Sequence, residues 1–192
     1  MPLLTEAEVV AEARRTILDR RETAREILVE AKAPEDTFDV FLSHSSHEPE
    51  RIILGIKSFL EKDGLSVYVD KYTDPQISPD KVTVATAELL RHRLNSSSSL
   101  IYIYSSHSQL SRWMPWELGF MDGLGRKVGV APVLKVRRNA FVGEDFLGLY
   151  PYLSRSTIKG TERETFWIKR SPKNYAMFSK WINGTSEIRL RP

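Results

Sequence analysis

The sequence predicts an α/β domain with a parallel sheet wrapped by helices, and three observations point to it. From Thr37 onward, strand-like and helix-like runs alternate with connections of only a few residues. The strand-like runs are short, and the first, Phe38 to Leu42, is nearly all apolar, as strands covered on both faces are. The runs end in polar, hydroxyl-rich turns, where an open parallel sheet exposes the carboxyl ends of its strands.

Before that alternation, one helix is expected over about the first 35 residues. Thr5 followed by Glu8 is a capping-box pattern, and no Gly or Pro intervenes between Pro2 and Pro34. Leu3, Val10, Ile17, Ala24 and Ala31 recur every seven residues, and Ala13, Ile27 and Leu28 widen the stripe. Arg14 and Arg21 spoil the second seam position of a coiled coil, so the pattern reads as an amphipathic helix docked on its own domain or on a partner. Uninterrupted, it would reach roughly 40 Å.

The elements that follow are read in turn. Phe38 to Leu42 is a strand ending in Ser43-His44-Ser45-Ser46. Ile52, Ile53, Ile56, Phe59 and Leu60 share one face of a helix that Asp63-Gly64 stops. Leu65 to Val69 is the second strand. Ser78, Pro79 and Asp80 open a helix running to about Leu94, as N-cap, first-turn proline and first-turn acid. Ser99 to Tyr104 is the third strand, Trp113 to about Asp122 a helix, and Val128 to Val136 the fourth strand. Phe146 to Leu153 holds a short helix and the start of a last strand. Thr165 to Ile168 is one more strand, and Tyr175 to Ile182 a terminal helix closed by Asn183-Gly184. The division expected is an N-terminal helix over 1–35, the main domain over 36–160 and a small strand–helix extension over 161–192.

Composition narrows the chemistry. The 192 residues contain no cysteine, which excludes disulfides, thiolate metal sites and Cys nucleophiles. No apolar run approaches the roughly 20 residues of a membrane span, and the opening residues carry no signal-peptide pattern, so a cytoplasmic protein without membrane attachment is expected. The net charge of +3 divides unevenly: residues 1–123 carry −6 and residues 124–192 carry +9. The basic third lacks the dense run and interleaved aromatics of a nucleic-acid module, so a partly self-complementary surface is the preferred reading.

Nucleotide fingerprints are absent too. There is no Gly-rich dinucleotide turn after the first strand, no phosphate-loop Gly-Lys-Ser/Thr and no metal-ligand spacing, so no metal is expected. The hydroxyl-rich turns at Ser43 to Ser46 and Ser105 to Ser108 can hydrogen-bond a ribose or a phosphate. Just after the second turn comes Ser111 to Met121, and in it an otherwise apolar stretch of helix whose one acid, Glu117, lies four residues after Trp113 and so on the same face. A carboxylate among aromatics is raised in pKa by desolvation unless a donor compensates, and such acids often mark functional sites. A structural Glu bonded to a neighbouring loop fits the spacing as well. For His44 and His107, a hydrogen-bonded structural histidine is preferred over an acid–base role.

Phe38-Asp39-Val40-Phe41-Leu42-Ser43-His44-Ser45, Val67-Tyr68-Val69-Asp70 and Ser111-x-Trp113-x-x-x-Glu117-Leu118 occur in order. They resemble, respectively, the opening motif, the second strand and the catalytic-glutamate helix of NAD-cleaving Toll/interleukin-1 receptor (TIR) domains, over about residues 37–160. Together they are specific, and the compact chain resembles bacterial members more than animal receptors.

The resemblance implies a flavodoxin-like sheet of order 2-1-3-4-5 and an NAD⁺ glycohydrolase or cyclase, with NAD⁺ as substrate and no cofactor. It makes Glu117 the catalytic carboxylate and Trp113, Ser43, His44, Ser45 and Asp70 substrate-binding residues. Asp74, Ile77 and Ser78 would belong to a loop that contacts a neighbouring protomer. It also implies homo-oligomerisation on activation, a separate sensor or effector protein, and a role in bacterial defence against phage. One departure stands out: the loop over Asp74 to Asp80 carries two prolines and no glycine, which puts the assembly contact and the substrate's pose in question. A non-catalytic TIR scaffold, acting by self-association or partner docking, is the alternative. A phosphoacceptor receiver domain is excluded, because Ser43, His44 and Ser105 stand where it needs acids.

Overall fold

A computed structural model describes residues 1–30, 37–69, 83–143 and 145–190. The sheet expected from the alternation forms, and its backbone order is as follows. Strands β2 (Phe38–Ser43), β3 (Val67–Tyr68), β4 (Ser97–Tyr104), β5 (Lys127–Leu134) and β6 (Tyr152–Thr157) lie in the order β3-β2-β4-β5-β6, all parallel. This is 2-1-3-4-5 when counted from Phe38. Two additions extend it. A two-residue strand, β1 (Leu4–Thr5), pairs parallel with the carboxyl end of β5, and β7 (Glu164–Lys169), β8 (Asn174–Met177) and β9 (Arg189–Leu190) continue antiparallel beyond β6.

Side chains alternate across the sheet as a two-residue period requires. Ile101 and Ile103 of β4 join one buried cluster, while Leu100 and Tyr102 join the other. The first cluster is covered by α1 (Glu6–Arg20), α2 (Ala24–Glu30) and α3 (Glu50–Lys62). The second is covered by α4 (Val84–Asn95) and α5 (Trp113–Gly123). A last short helix, α6 (Phe178–Ile182), buries Phe178, Trp181 and Ile182 against the first cluster.

The N-terminal segment is two helices rather than one. The expected capping box forms, with Thr5 Oγ1 accepting from Glu8 N and Glu8 accepting from Thr5 N. At Arg21 the backbone turns left-handed (φ 59°), and a second capping box, Thr23 with Glu26, starts α2. That second Thr-x-x-Glu pattern is legible in the sequence and outweighs the continuous heptad. It lets Ile27 and Leu28 reach the core, both at most 2% exposed. The docking is internal: Val9 and Ala13 are fully buried in the cluster that α3 shares. Gly55 makes the close approach possible, since a Cβ there would lie 2.7 Å from Val9 Cγ1.

The helix expected from Ser78 lies partly outside the described residues, as do Ser78, Pro79 and Asp80. Its described portion starts at Val84, with Thr83 Oγ1 accepting from Thr86 N at 3.1 Å. The terminal helix expected from Tyr175 starts at Phe178 instead. Tyr175 to Met177 form β8, where Tyr175 pairs with Lys169 and packs edge-on against Trp167 at 5.6 Å.

Charges of the two halves do meet. Arg137 pairs with Glu8, whereas Asp63 Oδ2 accepts from neutral groups, Thr165 Oγ1 (3.0 Å) and Phe166 N (2.9 Å). Part of the basic surface is thus answered by the chain's own acidic half. None of the described helices is long and apolar enough to cross a membrane.

Candidate active site

The carboxyl ends of β2 and β4 stand side by side, with Ser43 in register with Tyr102. Ser43 closes β2, and its side chain is carried toward α5. Its Oγ donates to Glu117 Oε2 at 2.6 Å, a buried bond between residues 74 apart in the chain. Ser43 is 1% and Glu117 2% exposed. A hydroxyl-to-carboxylate bond of this length is charge-assisted and fixes the carboxylate's position.

Two features of its helix hold Glu117 in place. It occupies the second turn of α5, and Met114, Leu118 and Met121 of that helix are buried in the second core cluster. Ser111 Oγ accepts from Met114 N at 3.2 Å, closing the helix's first turn. Tyr102 lies close enough for the Glu117 charge to act on it. Burial, then Glu117 and then Tyr104, push the Tyr102 phenol up to about 12, so it stays a neutral donor at any ordinary pH.

Trp113 is half-buried and packs edge-on against Trp116 at 5.5 Å, and Trp116 stacks on Phe120 at 5.6 Å. Among the described residues the Trp113 indole N–H is buried and has no acceptor. His44 and Ser45 are buried: His44 Nδ1 lies 3.0 Å from Ser45 O, and Ser45 Oγ accepts from His47 N. Ser45 therefore shapes the turn after β2. Asp70, Asp74, Ile77 and Ser78 lie outside the described residues.

A second Ser–Glu pair crosses the same edge in the opposite sense. Ser105, just past β4, donates through Oγ to Oε2 of Glu48, on the turn after β2, at 2.6 Å. Ser105 Oγ also accepts from His107 N, and His107 Nδ1 lies 3.7 Å from Glu48 Oε1. Burial holds the Glu48 carboxyl above its usual range, partly offset by Ser105, His107 and His44. The sequence reading passed over Glu48 and Tyr102. Their signals were present: an acid in the turn before α3, and a tyrosine on the same sheet face as Leu100 in a buried strand.

The arrangement offers a fixed carboxylate, a hydroxyl and a neutral phenol around one sheet edge. Such a set can accept hydrogen bonds from sugar hydroxyls and stabilise positive charge developing at an anomeric carbon.

No protein-family model matches the chain. Over 191 residues it is 39% identical to a Bacillus cereus (strain MSX-D12) protein named "Probable 3' cyclic ADP-D-ribose synthase ThsB'", covering 95% of this chain and 98% of that one. Over 90 residues it is 30% identical to a Cytobacillus dafuensis protein named "Putative cyclic ADP-D-ribose synthase TIR2", covering 46% of this chain and 24% of that one.

Proposed function

The chain belongs to the bacterial TIR-domain family of NAD⁺-cleaving cyclic ADP-ribose synthases, and from that premise we propose that Glu117 is the carboxylate at which it breaks the nicotinamide–ribose bond of NAD⁺. The observation that carries the assignment is the buried 2.6 Å bond from Ser43 to Glu117 at the sheet's carboxyl edge.

In the proposed reaction, the bond from the anomeric carbon to the nicotinamide nitrogen breaks, and the electron pair leaves with nicotinamide. The ribose is left as an oxocarbenium-like cation. Glu117 accepts from the ribose hydroxyls and stabilises that cation, in the way a glycosidase carboxylate does. Capture by water, with loss of a proton, gives ADP-ribose. Capture by a nucleophilic oxygen or nitrogen of the same molecule gives a cyclic isomer, the product class that both relatives' names carry. Trp113, Ser43, His44, Ser45 and Asp70 are assigned to substrate binding. Asp74, Ile77 and Ser78 are assigned to contact with a neighbouring protomer in an active homo-oligomer. The setting proposed is the bacterial cytoplasm, in defence against phage, with a separate sensor or effector protein.

The test is NAD⁺ turnover at high protein concentration, with nicotinamide and ADP-ribose isomers resolved by chromatography and folded Glu117→Ala run alongside. Nicotinamide release by the wild type alone is expected, and the product peak separates hydrolysis from cyclisation. Equal release by Glu117→Ala would overturn the assignment. Release from neither protein would favour the scaffold.

A further inference from the structure

On the α1–α3 side of the sheet lies a cavity of about 620 Å³, within the size range of small-molecule sites. It opens in the notch made where the chain turns at Arg21. Val10 and Ile17 of α1, Ala24 of α2 and Ile52 of α3 form apolar walls. Glu48 and His107 also line it.

Glu48 is 4% exposed. Its Oε2 is committed to Ser105, while among the described residues its buried Oε1 and the buried Nδ1 of His107, 3.7 Å apart, make no hydrogen bond. A buried carboxylate with an oxygen left over costs free energy unless something completes it. Glu6 and Glu50 add negative charge to the lining, against Arg51 and, when protonated, His107. Glu50 in the first turn already answers the positive end of α3. Glu50 also lies 3.9 Å from Arg25, so Glu6 and Glu48 supply the acidity of a lining that holds three acids against Arg51 and His107.

We propose that this cavity is a second binding site, distinct from the Glu117 site, for a small organic cation: an amidinium, guanidinium or amine on an apolar or aromatic body. The charged head pairs with Glu48 Oε1, and the body lies against Val10, Ile17, Ala24 and Ile52. Burial and, more weakly, Glu6 oppose the Glu48 charge, while Ser105, His107 and His44 favour it; a bound cation adds to the favourable side. The site does not depend on the assigned reaction, because its lining includes neither Glu117 nor any residue assigned to NAD⁺.

The test uses benzamidine as cationic probe and benzamide as its neutral isostere, titrated into the full ¹⁵N-labelled chain and followed by amide chemical shifts. Saturable benzamidine shifts are expected at Val10, Ala24, Glu50 to Ile52 and His107, with benzamide at least about tenfold weaker, since the pairing is charge-assisted. Glu48→Gln, which keeps the Ser105 bond, should weaken benzamidine by at least about tenfold. Val10→Phe fills the notch from the half-buried α1 side and should do the same, so the result does not hang on one variant's folding. Equal response to the two probes, shifts centred on Ser43 and Glu117, unchanged affinity in both variants, or no saturable shift would each overturn the site.

Discussion

Ser43 and Glu117 are joined by a hydrogen bond of 2.6 Å that ties the end of the first long strand to the helix 74 residues later. Without the hydroxyl, the carboxylate keeps its place on α5 but loses a charge-assisted donor worth about 1.5–3 kcal/mol. Ser43→Ala should therefore slow nicotinamide release roughly 10- to 100-fold while the protein still melts cooperatively. An enzyme as fast as the wild type would show that Ser43 does not position Glu117.

Gly55 sits where α1 crosses α3, with no room for a methyl group beside Val9. Gly55→Ala gains helix propensity, about 1 kcal/mol, but must push α1 away. Overpacking of this kind costs about 1–3 kcal/mol. The expected result is a lower melting temperature despite the better helix former. A raised one would mean that α1 yields easily.

Arg21 is a non-glycine residue in the left-handed region, at φ 59°. Relief of a conformation that costs an L-residue about 1–2 kcal/mol is partly offset by glycine's greater freedom in the unfolded chain. Arg21→Gly should stabilise by about 0.5–1 kcal/mol, read by urea denaturation.

Thr23 caps α2 through both halves of a capping box. Thr23→Ala should cost about 1 kcal/mol, seen as a lower denaturation midpoint with an unchanged slope. No change would show that α2 is held by Ile27 and Leu28 alone.

Glu48 makes the stability of the fold depend on pH. Burial raises its carboxyl in the folded protein above the unfolded value, so the folded state holds the proton more tightly. That contribution is fully present below the unfolded pKa and is lost as pH rises through the folded one. Glu48→Gln lacks this loss. The stability of the wild type relative to the variant should fall as pH rises through that window, measured by paired thermal melts. A difference that grows with pH would reverse the assignment.

Much of this was legible because apolar periodicity is a property of neighbours in sequence. The strand at Phe38, the helix stopped at Gly64 and the helix carrying Glu117 follow from residues within a turn or two of each other. What pattern reading missed depended on competition or on distance. The break at Arg21 is a contest between a seven-residue repeat and a second capping box, which Ile27 and Leu28 decide by burial. Tyr175 to Met177 alternate too briefly to separate strand from helix until Trp167 lies beside them. Glu117 stood out as the one acid between Trp113 and Met121 of an apolar helix. Glu48 did not, because its turn is polar throughout and its partner Ser105 is 57 residues away.

The first strand sets a timetable for synthesis. Leu4 pairs with Val133, 129 residues later, and Pro2 O accepts from Arg155 N. At about 5–20 residues per second, the opening segment waits on the order of ten seconds on the ribosome before its strand partner is made. Helix α1 can meet α3 much sooner. The N-terminus is thus bound in two instalments, helix first and strand last, and Leu3 and Leu4 stay exposed to the cell's proteases and chaperones in the interval.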